Sequence, residues 1–216
     1  MEAPKDRTWT WETENYSVQN DTIWPGRGCH ILAQYDDEAV VVYQAFKKEI
    51  ADYAVEHQRF HGCKAYNESR MTWIKSNFMW MMFRCGWAEK SNQEAVLAIW
   101  LKRDVFDSYL ANCRTKGSVR DFKGTVRLQW DPDHLPNGDP HHGRRAVQLG
   151  LKNVPGFASG RDILQIKDVT AFVREQAKHV QKKGYDKEQL LAAKERVYKP
   201  LTKEALQVFD QDGGAK

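Results

Sequence analysis

Arg70-Met-Thr-Trp-Ile-Lys-Ser-Asn-Phe-Met-Trp-Met-Met-Phe-Arg-Cys-Gly-Trp87 is the stretch whose reading decides the fold. Its first six residues alternate as a short extended run does. From Ser76 onward the aromatic and methionine run is too long and dense for an ordinary strand, and it reads as a buried helix. The stretch is thus a strand, a polar corner and a helix. Arg70, Lys75 and Arg84 punctuate it, and cations enter an apolar core only when they pair or meet an anion at its edge. The corner is therefore the first candidate for a site. The alternative is that Trp73, Phe78, Trp80 and Trp87 are core while the cations snorkel outward.

Length and composition set the frame. A chain of 216 residues with 41% hydrophobic and 29% charged residues is large enough for one sizeable core, read here as a single domain over residues 25–183. Residues 1–24, polar with Trp9, Trp11 and Trp24, read as an arm that lays indoles on the domain or as a partly ordered tail. Residues 184–216 read as a helical appendage, with a helix over Asp186 to Glu195, followed by a tail. Cys29, Cys63, Cys85 and Cys113 form no Cys-x-x-Cys pair, and neither a leader segment nor an 18-residue apolar run is visible. The expectation is an intracellular, cytoplasmic protein with reduced thiols and no membrane partner. A net charge of +4 permits an anionic ligand or nucleic acid without requiring either.

Outward from the central stretch, Ala39 to Phe46 is apolar on both faces, as a strand covered on two sides must be. Gln44 breaks that pattern, so its amide either satisfies a buried backbone group or points into a cleft. Lys47 to Phe60 has helical periodicity, Glu94 to Leu101 is a second two-faced strand, and Asp104 to Asn112 is a short helix. Residues 114–123 form a basic loop. Thr125 to Trp130 and Ala146 to Leu151 each show one apolar and one polar face, which would let Gln129, Asp131 and Gln148 line a shared cleft. Between them Pro132 to Arg145, with three prolines and three histidines, reads as a long irregular connection. Residues 162–168 are a short strand and Val169 to Lys182 a helix. Two metal readings are weak on spacing. His57, His61 and Cys63 lack a second ligand pair, and solvated loop polarity accounts for His134, His141, His142, Asp133 and Asp139. Cys63 beside His61 is a weak nucleophile candidate, and no metal is expected. The fold class is α+β, a mixed and mostly antiparallel sheet with flanking helices.

Tyr43-Gln44-Ala45-Phe46, Arg70 to Trp87, Val96-Leu97-Ala98-Ile99, Gln129-Trp130-Asp131-Pro132 and Gln148-Leu149-Gly150-Leu151 stand in the order of the signatures of one family. In this the chain resembles the family called domain of unknown function 4291, over most of residues 27–175. That name implies no chemistry. Phosphate-cradling and nucleophile-elbow motifs are absent. The order of a strand with Gln44, a helix, a strand with Thr72, a helix and later strands ending in polar residues looks like the ADP-ribosyltransferase fold. There the first strand carries His or Arg, the second Ser or Thr before a helix, and a late strand a catalytic Glu.

That second resemblance implies NAD as substrate, consumed through an oxocarbenium-like state, with an RNA, DNA or other anionic acceptor. Gln44, Thr72, Asp131 and Gln148 are the implied catalytic set, with Asp131 or Gln148 on ribose hydroxyls. Arg70 and Lys75 would hold the pyrophosphate near a helix N-terminus, Trp73 or Trp80 would stack on nicotinamide, and Arg84, Gln129 and Arg145 would complete the nucleotide contacts. Arg144, Arg145, Lys116, Arg120 and Lys123 would suit a nucleic-acid acceptor. Gln44 departs from the His or Arg of that fold, and Gln148-Leu149-Gly150 lacks the glutamate of a Gln-x-Glu motif. The competing class is a nucleotide or single-strand binding module without chemistry.

Overall fold

The computed structural model describes residues 8–115 and 126–209. Its centre is one mixed sheet whose strands are Gly28–Cys29 (β1), Ala39–Phe46 (β2), Thr72–Lys75 (β3), Ala95–Lys102 (β4), Arg114–Thr115 (β5), Val126–His134 (β6), Pro140–Leu151 (β7) and Ile163–Asp168 (β8). The order across it is β8-β4-β2-β3-β7-β6-β5, and β1 lies beside β7 next to the end of β3. Only β1 with β7 and β5 with β6 run parallel, so the fold is α+β and mostly antiparallel, as the sequence patterns predict.

β2 is apolar at every position but Gln44 because both of its faces are covered. Val40, Val42 and Phe46 face one core with the helix Lys48–His57 (α1) and the helix Arg103–Ala111 (α3). Val41, Tyr43 and Ala45 face a second core beneath the helix Phe78–Cys85 (α2) and the helix Thr170–Ala177 (α4). α2 is the dense run of the central stretch, and Phe78, Met79, Trp80, Met81, Met82 and Cys85 are all buried in it. It starts where Asn77 Oδ1 accepts the Trp80 N–H at 2.7 Å and Glu195 accepts the Phe78 N–H at 2.6 Å. It stops at Gly86, whose φ of 58° turns the chain left-handed, as a helix C-terminus prefers.

Three expectations fail, each for a physical reason. The helix expected over Asp186 to Glu195 is not formed. Asp186 Oδ1 instead caps the N–H groups of Glu188 and Gln189, and Leu191–Ala193 then pairs with Thr13–Asn15. Leu190, Ala192, Ala193 and Glu195 are buried, which a helix with a solvated face would not permit. Trp9 and Trp24 of the N-terminal segment are buried on the same side. The irregular connection expected over Pro132 to Arg145 is mostly strand, with β6 and β7 meeting at a tight turn over residues 135–139. Its buried charges are paired internally. Arg144, 1% exposed, donates to Asp133 at 2.5 Å, to Asn20 at 2.9 Å and to the Pro25 carbonyl at 3.2 Å, and stacks over Trp24. Finally, Arg114 and Thr115 are strand rather than loop, and the remainder of the expected basic loop lies outside the described residues.

Removing one partner from a fully buried ion pair leaves the other charge uncompensated, at a cost of about 3–5 kcal/mol. Asp133→Ala is therefore expected to lower stability by about that amount, read as a fall in the denaturant midpoint. A variant whose midpoint stays at the wild-type value would show that Asn20, Pro25 and Trp24 suffice for Arg144.

Candidate functional site

β2 pairs with β4 along all eight of its residues, and β3 pairs with β7 along all four. Between β2 and β3, by contrast, a single position is paired, Tyr43 with Lys75. Continued in register, Gln44, Ala45 and Phe46 would oppose Ile74, Trp73 and Thr72, but no ladder forms there. Phe46 packs instead on Phe60 and Tyr66, with ring centroids 5.2 and 6.0 Å away, and the chain enters α1 two residues later. The sheet therefore splits, and a cleft of about 800 Å³ opens in the gap.

One backbone carbonyl that the missing ladder leaves is met by a side chain, and further side chains bond to each other across the gap. Lys75 Nζ donates to the Trp73 carbonyl at 2.6 Å and to Gln44 Oε1 at 3.4 Å, while Gln44 Nε2 donates to Thr72 Oγ1 at 3.4 Å. Tyr66 meets Thr72 from the other wall, and burial pushes its phenol up to about 12. Lys75, Gln148 and Gln129 sit side by side on three neighbouring strands and face the same way. One row along, Trp73 lies over Gly150, where a Cβ would come within 2.6 Å of Met71 Sδ and 3.0 Å of the indole.

Of the expected site residues, Gln44, Arg70, Thr72, Trp73, Lys75, Arg84, Gln129 and Gln148 line this one cleft. Asp131 does not line the cleft; two positions beyond Gln129 on the same face of β6, it accepts from Gln129 Nε2 and from Gln148 Nε2, both at 2.7 Å. Two residues do not belong. Trp80 is buried against Phe83 and His134 and does not line the cleft, because the turn of α2 that carries it faces β6. Arg145 is exposed on the opposite face of β7 from Gln148, since the two are three positions apart along the strand. Arg144 is withdrawn from any acceptor by its burial, and Lys116, Arg120 and Lys123 lie outside the described residues. The loop histidines serve the fold: His141 Nδ1 accepts the Gly143 and Arg144 N–H groups, and His134 is stacked on Phe83 and Trp80. Among the described residues no group of three His, Cys, Asp or Glu is arranged to hold a metal ion.

The sequence reading missed Lys47, Tyr66, Asn67 and Gln93, all of which line the cleft. Lys47 adjoins Tyr43 to Phe46 and was within reach of that reading. The others come from loops whose placement only the packing of Phe46, Phe60 and Tyr66 reveals. With Lys47 the lining holds four cations, and none of its residues is a carboxylate. A second hollow of about 600 Å³, walled by Trp9, Tyr35 and Trp100, also contains Glu12, Asp36 and Asp37, and its Lys194 is paired with Glu12 at 2.6 Å. The cleft at the split is thus the one with net positive character.

Lys75 is the least ordinary of these cations. It is 3% exposed, and burial first, then the Arg84 guanidinium, lowers its amine to about 7, against smaller opposing effects of Cys85 and Asp131.

The family model of a domain of unknown function, DUF4291, matches residues 30–198. The chain belongs to the DUF4291 family. The matched span takes in both walls of the cleft, including Gln44, Arg70, Thr72, Lys75 and Gln148, together with Glu195, which caps α2. No curated protein matches the chain. Among the described residues of this DUF4291 protein, no helix is long and apolar enough to cross a membrane.

Two outcomes follow from the cleft's construction. The folded-state pKa of Lys75 lies below its unfolded value, so the unfolded chain binds the extra proton between about pH 7 and 10.5, and stability rises with pH across that window. Lys75→Met is expected to be more stable than wild type at pH 6, with the difference shrinking as pH rises through that window, as measured by urea denaturation at several pH values. Gly150→Ala must displace Met71 or Trp73, and overpacking of this kind costs about 1–3 kcal/mol. Unchanged tryptophan fluorescence and midpoint in that variant would mean that the indole is not seated on Gly150.

Proposed function

We propose that the DUF4291 cleft binds a nucleotide and that its substrate is NAD, from which ADP-ribose is transferred to a nucleic-acid or other anionic acceptor. The observation that carries the reading is the convergence of Lys47, Arg70, Lys75 and Arg84 on a cleft whose lining has no carboxylate. Anions are drawn into such a site, and guanidinium groups suit phosphate oxygens in particular. Trp73 and Tyr66 supply flat apolar walls on which a base or nicotinamide stacks, and the amides and hydroxyl of Gln44, Thr72 and Gln148 suit ribose and carboxamide groups. In this reading the pyrophosphate lies between Arg70, Lys75 and Arg84. The order of a strand with Gln44, a helix, a strand with Thr72 and a helix resembles that of an ADP-ribosyltransferase fold, and this resemblance supports the choice of NAD.

Breaking the bond to nicotinamide builds positive charge on the ribose, so the site needs a negative group facing it. Asp131 is the carboxylate within reach, and it gains that role if Gln148 or Gln129 swings aside when substrate enters. The same arrangement favours a second reading. With both oxygens of Asp131 held by amides, the cleft would bind nucleotide or a single strand without chemistry.

Titration with NAD and ADP, followed by an assay of nicotinamide release with RNA and DNA present, separates these readings. Binding weakened about tenfold in Arg70→Gln or Arg84→Gln, a loss of about 1.4 kcal/mol, is the expected result for phosphate contacts. Release that disappears in Asp131→Asn while binding persists would establish cleavage of the bond to nicotinamide, and ADP-ribose recovered on the RNA or DNA would establish transfer. Binding without release would leave the module, and absence of both would remove the nucleotide reading.

A further inference from the structure

The amine of Lys75 is held in an unusual way for a buried lysine. Nζ donates to two neutral oxygens, the Trp73 carbonyl and Gln44 Oε1. The groups facing it from the surrounding elements are Arg84 and Cys85 from α2, Asp131 from β6 and Tyr43 from β2, with Arg70 at the rim. Asp131 is committed to Gln129 and Gln148, and among the described residues no carboxylate is paired with Lys75. An ammonium there would be a desolvated charge without a counter-ion and with a guanidinium as neighbour, an arrangement that favours the free amine. With two N–H bonds directed to oxygens, the lone pair takes a remaining tetrahedral position, on an amine that lines an open cleft.

We propose that Lys75 is a carbonyl-reactive nucleophile and that the cleft takes a phosphate-bearing aldehyde or ketone, which Lys75 captures as an imine. The proposal rests on the reading of the cleft as an anion site, but not on NAD or on glycosyl transfer. Arg84 and Arg70 hold the phosphate and so bring the carbonyl carbon to Nζ. The nitrogen lone pair forms the N–C bond and the carbonyl π electrons move to oxygen. The oxygen then leaves as water with the two protons that the amine gives up. The balance is amine plus carbonyl to imine plus water, with no oxidant or reductant. A lysine activated by burial and a neighbouring cation is a known way of making such a nucleophile at neutral pH. The lowered pKa of Lys75, near 7, agrees with this role.

The test uses the full chain and pyridoxal 5′-phosphate as probe, a compound with an aldehyde and a phosphate. Imines are fixed with borohydride and located by peptide mass spectrometry. Lys75 is expected to be modified about tenfold faster than any of the other lysines, as a desolvated amine beside a cation allows. Its modification should be half-maximal near pH 7, competed by inorganic phosphate and slowed in Arg84→Gln. Lys75→Arg, which keeps the charge, should abolish it. Should that variant not fold, site mapping on the wild type and a comparison with pyridoxal, which lacks the phosphate, still decide. Label spread over other lysines with Lys75 unmodified, Lys75 reacting only above about pH 9 as an ordinary lysine does, or pyridoxal reacting equally fast would each overturn the proposal. Selective labelling of Lys75 in a protein that binds neither NAD nor ADP would sink the nucleotide reading and leave this one standing. Nucleotide binding with Lys75 inert would do the reverse.

Discussion

The two halves of the central sheet meet in strand register at one residue pair. Tyr43 and Lys75 are the only paired positions between β2 and β3, whereas their outer neighbours are paired along their whole lengths. A ladder that stops after one position leaves peptide groups that must find other partners, and in a protein interior such groups are costly if left alone. Lys75 Nζ meets that need at the Trp73 carbonyl, and Gln44 bonds to Lys75 and Thr72 across the gap. The cleft is thus a consequence of how the sheet is joined.

Charge is distributed in two different ways across the molecule. Where the chain buries charges for structure, it pairs or caps them. Asp133 meets Arg144, Asp107 accepts from the Tyr198 hydroxyl and the Leu201 N–H, and Glu195 caps the start of α2. Glu195 shows the cost of that use, since burial holds its carboxyl well above the usual range. At the split the pattern is reversed. Three cations and the buried amine of Lys75 line one cleft, and none of the lining residues supplies a negative charge. Uncompensated like charge in a concave place is unfavourable, and such a place attracts anions.

Segments near both ends of the described residues close over the sheet. Thr13–Asn15 pairs with Leu191–Ala193, Arg196–Val197 pairs with Leu32–Ala33, and the indoles of Trp9 and Trp24 are buried there. Glu195 links this layer to α2, whose next turns carry Arg84 to the cleft. The position of Arg84 is therefore set partly by residues more than a hundred positions away in sequence.

Periodicity alone determined the α+β class, the strand at Ala39 to Phe46, the strand, corner and helix of Arg70 to Trp87, and the two-faced strands that carry Gln129 and Gln148. These are local consequences of burial on one or two faces, and alternation records them directly. Eight of the eleven expected site residues meet in the cleft because a polar group interrupting an apolar strand or helix has few places to go. Trp80 and Arg145 were misplaced because chemical type does not say which side of a helix or strand a residue occupies. The Asp186 to Glu195 segment was misread because its charges looked solvated, whereas pairing with Thr13–Asn15 makes it strand. The tertiary structure alone decided that β2 and β3 separate after one pair, and that Lys75 lies buried without a carboxylate partner among the described residues. Both depend on contacts between segments distant in sequence, and the pattern within either segment carries no record of them.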